Sequence, residues 1–328
     1  MHPVLPRHRL GAAGPEVSIL GLGCNSFGLR IGLGETRAIV ETALTVGINF
    51  FDTADVYGHS ESERFLGEVL KGRRDQVVLA TKWGLTMDGG PKRWGLSDRG
   101  LRREDVPRGS AKYIRWALES SLRRLQTDWI DVYQYHRFDE QTPLEETFTT
   151  LRGFVDAGKV RFAGFPPLEP SALEEALGVA RSVGLPVVSM QHRYSMARRD
   201  AERELLPLCE RLGIGVLPFY PLEGGLLTGK YRRAEPPPGD SRFGSMQGHW
   251  PQDRWLTDEA FDRVEGLEQF AAARGISLLG VAIGGLAAMP AIGSVIAGAT
   301  RPEQVEANAR AAAWVPTAED LAELRAIR

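Results

Sequence analysis

Short apolar runs alternate with stretches of helical periodicity along most of the chain. Runs of strand length fall at 19–22, 48–51, 77–80, 130–135, 160–164, 187–190, 214–219 and 294–297, each bounded by polar or glycine-containing segments. Between them apolar residues recur at three- and four-residue steps, most plainly at Ile114, Ala117, Leu118, Leu122 and Leu125, with Ser110 placed as an N-cap. Further helices are predicted to begin near Glu35, Ser171 and Ala197 and to cover 276–288 and 303–313, where Pro302 suits a first helical turn. A strand, a crossover helix and a parallel strand make a right-handed unit that eight repetitions close into a barrel. The expected fold is therefore α/β, a single (β/α)8 TIM barrel over 1–328 with no internal domain boundary. Arg9-Leu10-Gly11 and Val17-Ser18 flank Ala-Ala-Gly-Pro and predict an N-terminal β-hairpin sealing one end. Two connectors, 83–108 after the third strand and 229–255 after the seventh, are too long for plain links and read as loops over a functional site.

The stretch NFFDTADVYGHSESERFLG at 49–67 turns abruptly from apolar to polar. Phe50 and Phe51 end a buried strand, Asp52, Thr53, Asp55 and Tyr57 follow, and Ser60 with Glu63 three positions on predicts a capping box opening a helix that runs to Gly72. Polar residues also fall at the ends of other strands: Lys82 at the third, His136 at the fourth and Gln191 at the sixth. Each has a plain alternative as a solvated lysine, a structural histidine or a strand cap. In a parallel barrel, however, all strand C-termini face one rim, and that rim is where barrel enzymes keep their chemistry. A lysine ammonium near Tyr57 favours the phenolate, and Asp52 can hold that lysine charged and in place. A tyrosine so tuned can give a proton to a carbonyl oxygen while His136 orients that oxygen and shares in proton transfer, which suits carbonyl reduction by hydride from a nicotinamide.

Composition narrows the partners. The 328 residues are 43% hydrophobic and 25% charged with a net charge of −2, the profile of an ordinary globular protein with no basic face advertised for nucleic acid or an anionic membrane. No window offers 18 consecutive apolar residues, and the first 14 residues lack the apolar core of a secretory signal. Two cysteines, Cys24 and Cys209, are too few for a disulfide framework and lack metal-ligand spacing. A cytoplasmic address, a small-molecule ligand and no metal are expected, and nothing in the chain signals an oligomeric state.

The segments VSILGLGCNSFG, NFFDTADVYG, LATKWG, SLRRLQTDWIDVYQYH, GKVRFAGF, GLLTGKY and VIAGATRPEQVEAN together resemble the aldo-keto reductase family along almost the whole chain. The resemblance implies a catalytic tetrad of Asp52, Tyr57, Lys82 and His136 and an extended nicotinamide cofactor, usually NADPH, bound across the rim. It implies Gly23 and Gln191 near the nicotinamide, Phe219 stacking on the ring, Pro221, Leu222, Gly224, Leu226 and Lys230 along the pyrophosphate, and Gly298, Thr300, Arg301, Gln304 and Asn308 at the adenosine. Arg301 is suited to a 2′-phosphate because a guanidinium forks onto oxyanions. Asn25, Phe27, Trp83 and Phe138 are expected to line a pocket for a flat or apolar carbonyl substrate.

The chain departs from the family pattern in places. Pro166 and Pro167 stand where Ser-Asn usually reaches the carboxamide, Pro218 and Tyr220 replace small residues beside the stacking aromatic, and Ala307 stands where a glutamate often meets the adenine. Proline offers no side-chain polar group and no N–H. Two functions are consistent with this: an NADPH-dependent reductase of aldehydes or ketones, or a nucleotide-binding barrel of little turnover acting as a regulatory or interaction subunit. Fluorescence titration is expected to show NADPH held more weakly than in a family member carrying all these groups; unusually tight binding would contradict the expectation.

Overall fold

The computed structural model describes residues 5–85, 106–245 and 255–327. Residues 86–105 of the first long connector and 246–254 of the second lie outside them; the described part of the second brings Lys230, Asp240, Ser241 and Arg242 to the cleft considered below. Strands β1 (Arg7–Arg9) and β2 (Glu16–Ser18) pair antiparallel as the expected hairpin. The eight apolar runs form parallel strands β3 (Leu20–Gly23), β4 (Phe50–Asp52), β5 (Val78–Trp83), β6 (Ile130–Tyr135), β7 (Val160–Phe165), β8 (Val187–Arg193), β9 (Gly215–Phe219) and β10 (Val295–Gly298). They pair in the order β10-β3-β4-β5-β6-β7-β8-β9. The seam between β9 and β10 is closed by residues 291–293: the Val216 N–H donates to the Ala291 carbonyl at 2.7 Å and the Gly293 N–H to the Val216 carbonyl at 2.8 Å.

The strands alternate with helices α1 (Leu33–Thr45), α2 (Glu61–Val69), α3 (Ala111–Leu125), α4 (Leu144–Asp156), α5 (Pro170–Ser182), α6 (Leu205–Leu212), α7 (Arg242–Ser245), α8 (Asp258–Ala273), α9 (Leu278–Ala287), α10 (Pro302–Ala311) and α11 (Ala318–Ala326), and short 3-10 segments include Tyr57–Ser60 and Glu223–Thr228. Ser110 caps α3 as expected, its hydroxyl accepting the Tyr113 N–H, and Pro302 opens α10. The helix expected near Ala197 starts only at Leu205. A short 3-10 turn at Asp200–Glu202 intervenes, because Ser195 and Arg198 pair their main chains in a tight bridge first.

Side chains alternate along a strand, so positions two apart share a face. Inside the barrel Phe50, Ala80, Val132, Leu217 and Ile296 form an apolar layer, closed from below by Leu10 and Val17 of the hairpin. Leu10 seats there because Gly215 and Gly293 lack a Cβ, which would come within 2.7 Å and 2.3 Å of its Cδ1. Two residues further along the same strands stand Asp52, Lys82, Gln134, Phe219 and Gly298. The hydrophobic floor and the polar rim are thus successive layers of one lumen. Asp52, Lys82 and Gln191 lie within the ladder rather than beyond it, since β4, β5 and β8 each continue past the predicted end.

The capping box expected at Ser60 does not form. Ser60 takes a left-handed backbone, φ 74°, and its hydroxyl donates to the Asp55 carbonyl at 2.7 Å. Glu63 turns inward instead and is fully buried. One carboxylate oxygen accepts from Thr81 Oγ1 at 2.6 Å and the other from Arg124 Nε at 2.6 Å. Gly67 permits this close approach of α2 to α3, since a Cβ there would sit 2.4 Å from the Arg124 carbonyl. Glu63 therefore ties the helix that follows Tyr57 to the strand that carries Lys82. Glu63→Gln leaves the Arg124 charge uncompensated and is expected to lower unfolding free energy by about 3 kcal/mol in urea denaturation; an unchanged midpoint would refute the pairing as a stabilising contact.

Candidate active site

Lys82 projects from β5 into the lumen with only 2% of its side chain exposed. An ammonium so buried needs oxygen ligands, and three are supplied: Asp52 Oδ2 at 2.6 Å, the Thr53 carbonyl at 2.8 Å and the Tyr57 hydroxyl at 3.3 Å. Burial works against the Lys82 charge, but Asp52 and Tyr57 outweigh it, and its pKa lies above the ordinary value. Burial likewise raises the Tyr57 phenol. The Lys82 ammonium pulls it back without cancelling the rise, so the sequence-based expectation of a favoured phenolate gives way to a phenol that keeps its proton at neutral pH. A group that must donate a proton is then in the donating form.

His136 packs edge-on to Tyr57, ring centroids 5.9 Å apart and planes at 84°. Its main-chain N–H donates to the Trp83 carbonyl at 2.8 Å, which fixes the residue at the end of β6. Burial, then the charges of Lys82 and Arg137, push its pKa down to about 3. The imidazole is therefore neutral, and Nδ1 is buried without a hydrogen-bond partner among the described residues. Such a ring can orient a carbonyl oxygen by hydrogen bonding, and near neutral pH it has no imidazolium proton to give.

These four residues meet at the wall of a cleft of about 1340 Å³, larger than the several hundred cubic ångströms of a usual small-molecule site. Gly23, Gln191, Phe219, Pro221, Leu222, Gly224, Lys230, Gly298, Thr300, Arg301, Gln304 and Asn308 line it, as do Asn25, Phe138, Pro166, Pro167, Tyr220 and Ala307. Leu226, Phe27 and Trp83 do not: each is buried in the hydrophobic core. Trp83 follows Lys82 on a strand and so faces the opposite way, stacked on Tyr133 and Tyr135 with centroids 4.5 Å and 4.7 Å away. Arg30, Arg137, Arg242 and Gln134 also line the cleft and were not singled out by sequence. For Gln134 the signal was present: it is the polar residue at the inward parity of IDVYQY. For Arg30, on an irregular segment, and Arg242, in the four-residue helix α7, no periodicity marks them.

The donor set fits a nicotinamide dinucleotide. Burial and then Arg30 lower the Lys230 pKa, Asp240 opposes them, and Arg242 and Arg301 lower it further, so four cations and one carboxylate gather on one stretch of wall. Like charges so placed are relieved by a polyanion such as a pyrophosphate with a ribose phosphate. At the other end the Phe219 ring and the Gln191 amide line the wall beside the tetrad.

Comparison with known proteins gives a concordant result. A family model described as the aldo/keto reductase family matches residues 19–328. A protein of Arabidopsis thaliana described as a probable voltage-gated potassium channel subunit beta is 34% identical over 315 residues, covering 94% of this chain and 91% of that protein. One of Glycine max described as probable aldo-keto reductase 1 is 33% identical over 264 residues, 79% of this chain and 71% of that protein. Among solved structures, the holo form of an aldo-keto reductase from Bacillus halodurans superposes with a TM-score of 0.78 at 29% identity, covering 98% of this chain and 96% of that one.

His136 also gives the fold a pH dependence. Its pKa is about 3 when folded against 6.5 ordinarily, so below 6.5 the unfolded chain takes up a proton that the folded one refuses. Stability is present above that value and drains as pH falls toward 3, at about 1 kcal/mol per pH unit from this group. Urea denaturation between pH 6 and 4 is expected to show a shallower loss for His136→Gln than for the wild type; parallel curves would refute the depressed value.

Proposed function

Because the chain belongs to the aldo/keto reductase family, we propose that it reduces an aldehyde or ketone to the alcohol at the expense of NADPH, with Tyr57 as the general acid. The observation that carries this reading is the buried Lys82 ammonium, held by Asp52 at 2.6 Å and reaching the Tyr57 hydroxyl at 3.3 Å on the cleft wall. The bound nicotinamide supplies the hydride to the carbonyl carbon. Tyr57 gives its phenolic proton to the carbonyl oxygen, and Lys82 balances the phenolate charge that this leaves behind until solvent returns a proton. His136, neutral, donates a hydrogen bond that holds the carbonyl oxygen toward the phenol. Gln191 and main-chain carbonyls anchor the carboxamide where Pro166 and Pro167 offer no polar side chain. Arg30, Lys230, Arg242 and Arg301 hold the phosphates, and Arg301 favours NADPH over NADH.

Beside the tetrad the cleft is lined by Tyr135, Phe138, Pro166, Pro167 and Leu168, which supports a flat, apolar carbonyl compound as substrate. A second reading is favoured by the plant relatives described as probable potassium channel β subunits: a nucleotide-binding barrel of little turnover that serves a channel or another partner as a regulatory subunit. A buried, charge-tuned phenol is superfluous to binding alone and favours the first. NADPH absorbance is expected to fall with an activated aromatic aldehyde, and Tyr57→Phe to lose about 10²–10⁴-fold in rate, while Arg301→Ala narrows the KM difference between NADPH and NADH. Wild-type consumption no faster than that of Tyr57→Phe would reject the reductase.

A further inference from the structure

Asp52 has two carboxylate oxygens, and only Oδ2 is used by Lys82. The other, Oδ1, accepts from two side-chain amides at once, Gln134 Nε2 at 2.9 Å and Gln191 Nε2 at 2.8 Å. A carboxylate only accepts, so both amides must turn their nitrogens toward it. That orientation aims the Gln134 carbonyl back at Gln191, whose Nε2 donates to Gln134 Oε1 at 3.1 Å. Both N–H groups of Gln191 are thereby engaged, and its Oε1 makes no hydrogen bond among the described residues. Gln134 is itself fully buried, and room for it is made by Gly164 on the next strand, where a Cβ would stand 2.8 Å from Gln134 Cγ.

We propose that Gln134 is a positioning residue that couples the proton donor to the cofactor anchor: it holds Asp52, and through it Lys82 and Tyr57, while fixing the amide of Gln191 with its carbonyl left to accept an N–H from the nicotinamide carboxamide. The geometry makes one amide answerable to two functions. Remove Gln134, and Asp52 Oδ1 keeps a single donor while Gln191 loses the acceptor that pins its second N–H, so its amide is held at one N–H rather than two. Asp52 then holds Lys82 less firmly against the phenol, and the part of the phenol's acidity that Lys82 provides is reduced. Carboxamide capture and acid catalysis are therefore expected to weaken together.

The inference rests on the reductase reading for its catalytic half, and the test separates the two. The variant is Gln134→Leu, close in volume, with Gln134→Met prepared in case the first does not fold. NADPH affinity is read by fluorescence quenching without substrate, and the pH profile of kcat is read with an aromatic aldehyde. Each hydrogen bond lost is expected to appear as a rise of about 3–10-fold in the NADPH Kd and a fall of about 10-fold or more in kcat, with the basic limb of the profile moved to higher pH. A wild-type Kd, or a kcat profile whose basic limb does not move, overturns the coupling: a merely structural amide would lower thermal stability and leave both in place. Tyr57→Phe, run in parallel, tests the reductase reading alone, because a wild-type rate there defeats the acid while the Kd arm still reports on Gln134.

Discussion

One full positive charge has been taken out of water. The Lys82 ammonium lies above an apolar layer built from Phe50, Ala80, Val132, Leu217 and Ile296, a place where an unpaired cation would cost several kcal/mol and would lose its proton instead. That constraint dictates the surroundings. A carboxylate, a main-chain carbonyl and a phenol are brought within 3.3 Å by three separate positions along the chain. The carboxylate in turn requires its own donors, which come from β6 and β8. The rim is polar on four strands because one of them carries a lysine inward.

Much of this was legible in the amino-acid order. The apolar runs mark the strands because burial on both faces demands continuous hydrophobicity, and the tetrad stands out because polarity arrives abruptly where those runs stop. What escaped was governed by parity and by distance. Trp83 is next to Lys82 in sequence and on the other side of the sheet in space, so adjacency misled where alternation would have corrected it. Gln134 was concealed among large apolar neighbours. Glu63 matches a local capping pattern, but its partners Thr81 and Arg124 lie 18 and 61 residues away, and a fully buried carboxylate with two good donors outweighs a cap worth about 1 kcal/mol. Which partner wins is decided by tertiary packing that no local window contains.

The segment after β9 departs from the family pattern, and its backbone reflects this. Tyr220 and Glu223, neither of them glycine, have φ of 54° and 45°, a left-handed geometry that persists only when its surroundings enforce it. Here the Glu223 carboxylate is buried and accepts from Arg193 at 2.6 Å and Ser195 at 2.9 Å. Arg193 lies over the Trp255 ring, 3.8 Å from its centroid. The turn that presents Tyr220 to the cleft is thus held from behind by an ion pair and an aromatic face, and the larger side chain is accommodated without unseating Phe219 from the wall.

The hairpin beneath the barrel has a consequence for how the molecule is made. Leu10 rests in hollows left by Gly215 and Gly293, and the His8 imidazole hydrogen-bonds the Gly293 carbonyl, 285 residues away. Synthesis runs from the hairpin toward β10, so this stopper leaves the ribosome before every stave of the cask that it seals. The contact between His8 and Gly293 closes a loop of 285 residues, so the entropy of that closure is lost only after the residues leading into β10 have been made. Until Gly293 arrives, the apolar tip of the hairpin lacks one side of its seat and is among the surfaces that a chaperone would find exposed.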